Sequence, residues 1–290
     1  KVKREADSMG QVLDCREAAK IFLDNIKKAS SELKGKGINP TLGIVRVGKR
    51  EDDIAYEKGI LKNCEKVDII GKVHECSEDI NMDSFIKLIE ELNADPLIHG
   101  ILIFRPLPKH LDENIIKHII NPNKDVDSMN PLNLAKVFEG DLSGYSPCTS
   151  AAVIEIIKHF NIYIKGKKVA VLGRSMVVGK PLAMMLLKED ATVMICHSKT
   201  ENLKETVASA DIVAAAIGKA KFIGSDYIKQ GAVVIDVGIN VDENGKLCGD
   251  VDFEAVKDKA SLITPVPGGV GSVTTAVLLK SVIKGAKMML

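Results

Sequence analysis

The feature that most constrains the fold is a series of short β-rich apolar runs, separated by helical stretches, in the second half of the chain. They read VAVLG, ATVMIC, DIVAAAI, AVVIDVG and SLITPV. A strand with one face in water alternates apolar and polar residues. Runs apolar on both faces must be covered on both, as helices do when they connect parallel strands. The first half repeats this logic. A helix over 15–34 aligns Ala18, Phe22, Ile26, Ala29 and Leu33 and stops at Gly35 and Gly37. TLGIVRVG follows Pro40 as a buried strand, then come a helix over 54–66, a strand over 69–75, a helix over 82–93, the strand His99–Phe104 and a short helix in LDENIIKHII. Residues 121–149 are rich in Asn, Pro, Asp and Gly and read as an irregular boundary. The fold expected is α/β with two α/β domains, over 1–146 and 147–272, and a closing helix over 273–290.

Charge and composition exclude several classes. Forty Lys+Arg against thirty-nine Asp+Glu give no basic excess for gripping phosphate backbones. Aromatic residues make up 4% and Trp is absent, which leaves little for stacking bases. No nucleic-acid partner is expected. No apolar run approaches the ~20 residues of a membrane helix, so no membrane association is expected either. The charged opening KVKREADSMGQ has no signal-like apolar core and reads as tail sequence. The six cysteines are scattered without a CxxC, and the histidines lack HxxxH or HExxH spacing. Buried free thiols, no metal site and a cytoplasmic location are the expectations.

Strand 168–172 runs into Gly173-Arg174-Ser175-Met176-Val177-Val178-Gly179-Lys180-Pro181 and then a helix. Gly173 lets the backbone turn tightly at the strand end, and Gly179 allows helix and strand to pack closely. The helix N-terminus presents N–H groups and a positive dipole to a diphosphate. The spacing is not GxGxxG, and alone such a loop is as often a plain strand–helix turn. The next strand, ATVMIC, supplies the context of a mononucleotide-binding half. It ends in His197-Ser198-Lys199-Thr200, where an NAD site usually carries an acid for the ribose hydroxyls. Ser198, Lys199 and the nearby Arg174 favour a ribose 2′-phosphate, hence NADP, with NAD as the alternative. His197 suits a loop hydrogen bond as well as a ligand contact, and no catalytic role is assigned to it. Two further glycine turns, Asp236–Asn240 and Thr264–Gly271, lie at carboxyl ends of strands, where open α/β sheets bind ligands.

Together these residues resemble the methylenetetrahydrofolate dehydrogenase/methenyltetrahydrofolate cyclohydrolase family. The matching strings are Lys124-Asp125-Val126-Asp127, Pro147-Cys148-Thr149, Gly173-Arg174-Ser175 with Val178-Gly179, Cys196–Thr200, Gly238-Ile239-Asn240 and Thr264–Gly271, in family order from near residue 12 to the end. The resemblance implies an N-terminal folate-binding domain, a Rossmann-like NAD(P)-binding domain, a cleft between them, a final helix returning to the first domain, and a homodimer. It implies that Gly173, Arg174, Ser175, Gly179, Ser198, Gly238, Ile239 and Thr274 face the cofactor. Pro267, Gly268 and Gly269 would line the substrate site. Asp127 would hold the pterin of a tetrahydrofolate derivative, and Tyr56 would pack on its ring system, the two forming the catalytic pair. Read from chemistry alone, a carboxylate suits the amidine-like donor edge of a pterin, although an Asx turn in this Asn/Pro-rich loop explains Asp127 equally simply.

The chain departs from the family pattern at three linked positions. The cyclohydrolase lysine of the family's Y-x-x-x-K falls on Ile60, its serine three residues before the tyrosine on Asp53, and its supporting glutamine on Phe104. Lys58 and Lys62 lie about 200° round the helix from Ile60 and do not take its place without a register change. The expectation is oxidation of methylenetetrahydrofolate with weak or absent cyclohydrolase activity. A fully bifunctional enzyme, using another group such as Lys58, Lys62 or Arg105, and a non-catalytic folate- or dinucleotide-binding protein are the alternatives.

Overall fold

The structure is a computed structural model that describes residues 10–289; most of the charged opening, residues 1–9, lies outside the described residues. In chain order the elements are β1 (Gln11–Val12), α1 (Arg16–Gly35), β2 (Thr41–Val47), α2 (Glu51–Lys66), β3 (Ile70–Cys76), α3 (Met82–Ala94), β4 (Gly100–Ile103), α4 (Glu113–Ile119) and α5 (Pro131–Glu139). Then follow α6 (Cys148–His159), β5 (Lys168–Leu172), α7 (Gly179–Lys188), β6 (Thr192–Cys196), α8 (Leu203–Ala208) and β7 (Ile212–Ala215). The chain closes with β8 (Val233–Asp236), the short strands β9 (Asn240–Val241) and β10 (Leu247–Cys248), α9 (Phe253–Val256), β11 (Leu262–Ile263) and α10 (Val270–Met288).

The chain divides into two compact units. One holds the residues up to Ala19 together with Thr149–Thr274; the other holds Lys20–Cys148 and the segment from Thr275 onward. The first is built on a six-stranded parallel sheet ordered β1-β11-β8-β7-β5-β6. Its strands bury Ala170, Leu172, Val213, Ala215, Val234 and Ile263, and helices supply Val207 and Val256 to the same core. The apolar runs of the sequence are these strands. The inner strands are buried on both faces, which is why they show no alternation, while β6 at the sheet edge is only partly covered.

The second unit carries a three-stranded parallel sheet, β3-β2-β4. Its core joins Val45, Ile101 and Ile103 to Phe85, Ile89 and Leu92 of α3 and Ile116 of α4. Every residue of the central strand β2 is buried. That includes Arg46, whose charge must therefore be answered by protein groups. Helix α10 packs closely here: a Cβ at Gly285 would stand 2.1 Å from the His99 carbonyl oxygen, so only glycine permits this approach.

Two features differ from the expectation. Residues 10–19 belong with the six-stranded unit, not with a first domain over 1–146, because β1 pairs in parallel with β11, Gln11 opposite Leu262 and Val12 opposite Ile263. A two-residue strand whose partner lies some 250 positions away leaves no local pattern to read. The stretch 121–149, expected to be irregular, contains α5. Its Asn-Pro and Gly are helix punctuation: Asn130 accepts the Leu132 N–H, Pro131 opens the first turn, and Gly140 closes the helix in the left-handed conformation at φ 75°. The Asn130 side chain also donates to the Ile120 carbonyl at 2.9 Å. Asn130→Ala removes both bonds, and urea denaturation should show a loss of about 1–2 kcal/mol.

Candidate functional site

In the three-stranded unit, β4 ends where the sequence places Phe104 and Arg105. The segment 124–127 runs beside β4, with the Ile101 N–H donating to the Lys124 carbonyl and Ile101 bridging Asp125 in parallel. Four residues on from Ile101 and two on from Asp125, Arg105 and Asp127 come together: Arg105 Nη2 donates to Asp127 Oδ2 at 3.1 Å. The other carboxylate oxygen accepts the Cys148 N–H at 2.9 Å. Tyr56 reaches the same corner from α2, its ring 5.4 Å from that of Phe104 and tilted by 34°. Burial pushes the Tyr56 hydroxyl well above the ordinary phenol range, and the charges of Cys148 and Asp127 push the same way. Tyr56 as a residue remains 43% exposed, so part of it is open to a flat ligand.

The Lys-Asp-Val-Asp string divides its labour. Lys124 Nζ donates to the Leu92 and Asp95 carbonyls and so caps the end of α3. Asp125 accepts the Met129 and Asn130 N–H groups and the Asn133 amide, holding the turn into α5. The turn-forming role that Asp127 could have had thus belongs to its neighbour. Asp127 is left with an ion pair, one backbone donor and a quarter of its side chain exposed.

The altered positions lie on one side of α2. Ile60 is fully buried, and Phe104 is buried at the Tyr56 ring. Asp53 sits in the acidic first turn, where it complements the helix dipole, and burial raises its pKa. Lys58 and Lys62 both point to solvent, away from the buried face. Between Asp53 and Ile60 lies Glu57, which sequence reasoning passed over. It accepts from Arg46 Nε at 2.7 Å, while Arg46 Nη2 reaches Glu75 at 3.0 Å and Nη1 donates to the Gly48 carbonyl. The signal was present as a lone Arg inside the apolar run TLGIVRVG.

In the six-stranded unit the predicted glycines stand at the carboxyl ends of the strands. Gly173 has φ 116°, and a Cβ there would meet the Ala216 carbonyl oxygen at 2.2 Å; a Cβ at Gly179 would meet the Gly173 oxygen at the same distance. The loop is closed by Ser175, whose Oγ accepts the Val178 N–H and whose carbonyl accepts the Lys180 N–H. Arg174, Ser175, Met176 and Val177 are exposed. Helix α7 begins without a side-chain cap; the Lys180 N–H is taken by Ser175 and Pro181 has none, so the helix dipole and the Gly179 N–H are what its first turn offers an anion. At the end of β6, His197 Nδ1 accepts the Lys199 N–H and Thr200 Oγ1 accepts the His197 N–H, leaving Ser198 and Lys199 exposed on an ordered turn. Pro267, Gly268 and Gly269 follow β11 in this same unit, and the Gly268 carbonyl accepts the Cys15 N–H. Thr274 Oγ1 donates to the Val270 carbonyl within α10.

Ile239 stands 67% exposed beside Gly238. Its turn is held by two carboxylates the sequence reading did not single out. Asp236 accepts the Gly238, Asp250 and Val251 N–H groups. Asp250 accepts the N–H groups of Ile217, Gly218 and Lys219 and the Asn240 amide. Burial outweighs these donors at Asp236 and raises its pKa from 3.8 to about 6.

These two sites define an α/β protein with a nucleotide-type glycine loop in one unit and a carboxylate–aromatic corner in the other. The family model for the tetrahydrofolate dehydrogenase/cyclohydrolase catalytic domain matches residues 13–127, and that for the NAD(P)-binding domain of the same family matches 147–290. The chain belongs to the tetrahydrofolate dehydrogenase/cyclohydrolase family. It is 56% identical to the bifunctional protein FolD of Clostridioides difficile, over 96% of this chain and 97% of that one. Among solved structures it is similar to the bifunctional FolD of Campylobacter jejuni, with 40% identity, TM-score 0.95 and coverage of 97% and 99%. It is also similar to the Trypanosoma brucei methylenetetrahydrofolate dehydrogenase-cyclohydrolase complexed with NADP and an inhibitor, with 33% identity, TM-score 0.92 and coverage of 97% and 99%.

The raised pKa of Asp236 has a definite sign. As pH falls, the folded chain takes up this proton near pH 6, before the unfolded chain does near 3.8. Its ionised form therefore costs the fold stability above pH 6, and that cost is relieved between about pH 6 and 4. Relative to Asp236→Asn, the wild type should gain about 2 kcal/mol between neutral pH and pH ~4.5, read from urea denaturation at the two values.

Proposed function

We propose that this protein oxidises methylenetetrahydrofolate to methenyltetrahydrofolate with NADP and has weak or absent cyclohydrolase activity. The observation that carries the second half is the fully buried Ile60 at the family's lysine position. Asp127 accepts the N–H edge of the pterin, and Tyr56 packs on its ring face. The Gly173–Gly179 loop and the uncapped start of α7 take the dinucleotide's diphosphate, with Gly238, Ile239 and Thr274 further along the cofactor. Arg174, Ser198 and Lys199 take the ribose 2′-phosphate, and no acid stands at the end of β6 to prefer the free hydroxyls of NAD. NADP, when bound, accepts the hydride from the methylene carbon, and the adjacent ring nitrogen's lone pair stabilises the developing cation. The side chains have to align and desolvate the reactants; none has to exchange a proton.

Hydrolysis of the methenyl product adds water and moves protons, so it needs a group able to gain and lose one. Ile60 cannot. Lys58 and Lys62 face solvent, and Arg105 is engaged in its ion pair with Asp127. Loss of one effective acid/base costs ~10²–10⁴-fold. The names of the relatives favour the bifunctional alternative, and one preparation decides between the readings. Purified protein should reduce NADP with methylenetetrahydrofolate yet leave the absorbance decay of methenyltetrahydrofolate at its spontaneous rate. Enhanced hydrolysis would assign both activities to the chain; NADP binding without turnover of either folate would leave a binding protein.

The proposal includes a homodimer in a reducing, cytoplasmic setting. Strand β6 is a free sheet edge with Ile195 exposed, and Val241 and Leu247 are exposed on the β9–β10 pair, as an apolar interface requires. All six cysteines are free and buried. No helix among the described residues is long and apolar enough to cross a membrane.

A further inference from the structure

Arg105 lies beside the carboxylate assigned to the pterin. Its Nη2 holds Asp127 Oδ2 at 3.1 Å while the Cys148 N–H holds Oδ1, so the plane of the carboxylate is fixed from both sides. The Arg105 side chain is 21% exposed. A guanidinium has five N–H donors, and this ion pair leaves others free for a ligand. The pterin edge presents an amino group and a ring N–H, both donors, next to an oxo acceptor. A carboxylate alone satisfies only the donors and repels the oxo group. A carboxylate paired with a guanidinium satisfies the whole edge.

We propose that Arg105 is a positioning and specificity residue for the folate. It orients the Asp127 carboxylate toward the pterin N–H edge and presents its remaining donors to the ring carbonyl beside that edge. This rests on the dehydrogenase reading above and adds to it a residue that distinguishes a 4-oxo pterin from a 4-amino one. Lysine, a point charge without the planar fork, can replace the ion pair but not the second contact in the same plane.

The test compares wild type with Arg105→Leu and Arg105→Lys in NADP reduction with methylenetetrahydrofolate, with NADP affinity and thermal unfolding followed alongside. For Arg105→Leu the KM for the folate should rise ~10–100-fold, the loss expected for a hydrogen bond to a charged group, with kcat within about threefold and NADP affinity unchanged. Arg105→Lys should recover part of the KM. A 2-amino-4-oxo pterin and its 2,4-diamino analogue then serve as competitive inhibitors: the wild type should favour the oxo compound, and both variants should lose much of that preference. Should Arg105→Leu fail to fold, the inhibitor comparison in Arg105→Lys decides alone. An unchanged folate KM in Arg105→Leu, or an oxo preference kept in Arg105→Lys, overturns the proposal. A wild type that does not reduce NADP brings down the function reading and this one with it. An active wild type with indifferent Arg105 variants brings down only this one.

Discussion

The buried charge of Arg46 governs the folate-side unit. A guanidinium on the central strand of a sheet, withdrawn from water on both faces, is tolerable only if carboxylates and carbonyls surround it. Glu57 supplies the closest carboxylate and must therefore face inward from α2. That requirement sets the rotation of the whole helix. With Glu57 inward, Asp53 and Ile60 share its face, Tyr56 turns toward Phe104, and Lys58 turns to solvent. Ile60 and Phe104 are both buried, the one on the inward face of α2 and the other against the Tyr56 ring.

Much of this was legible in the sequence because period and punctuation are local. The apolar runs gave the six-stranded sheet, the glycine loop gave the strand-to-helix turn of β5 and α7, and the string around Asp127 gave the corner at β4. What was not legible depends on partners far along the chain. β1 is two residues long and exists through its pairing with β11. Helix α5 was hidden because Asn, Pro and Gly mark loops and helix ends alike, and only the bonds of Asn130 distinguish them. Arg105 was legible only as a candidate stand-in for the lysine, and its pairing with Asp127 depends on the register between Ile101 and Asp125.

The nucleotide-side unit shows why its glycines recur where they do. Gly238 and Gly249 do not serve flexibility. A Cβ at Gly238 would overlap the Asp250 carboxylate at 2.4 Å, and one at Gly249 would overlap Asp236 at 1.8 Å. Each carboxylate occupies the space a side chain would take and gathers the N–H groups of the loops at the ends of β7 and β8. The sequence shows the glycines and the acids separately; only the fold shows that each glycine makes room for the other's acid. The exposed position of Ile239 follows from this internal bracing.

The two chemistries attributed to the family place unequal demands on such a scaffold. Hydride transfer asks for rigid donors and acceptors at fixed positions, and this chain supplies them from ion pairs, backbone N–H groups and glycine turns. Cyclohydrolysis asks in addition for a side chain whose proton affinity lies near neutrality and which can reach water. The corner around Asp127 holds a phenol and a buried thiol, both pushed up by burial, and the Arg105 guanidinium in its ion pair. All three can position a ligand. The buried Arg46–Glu57 pair fixes the geometry of this face of α2, with Ile60 turned inward beside it.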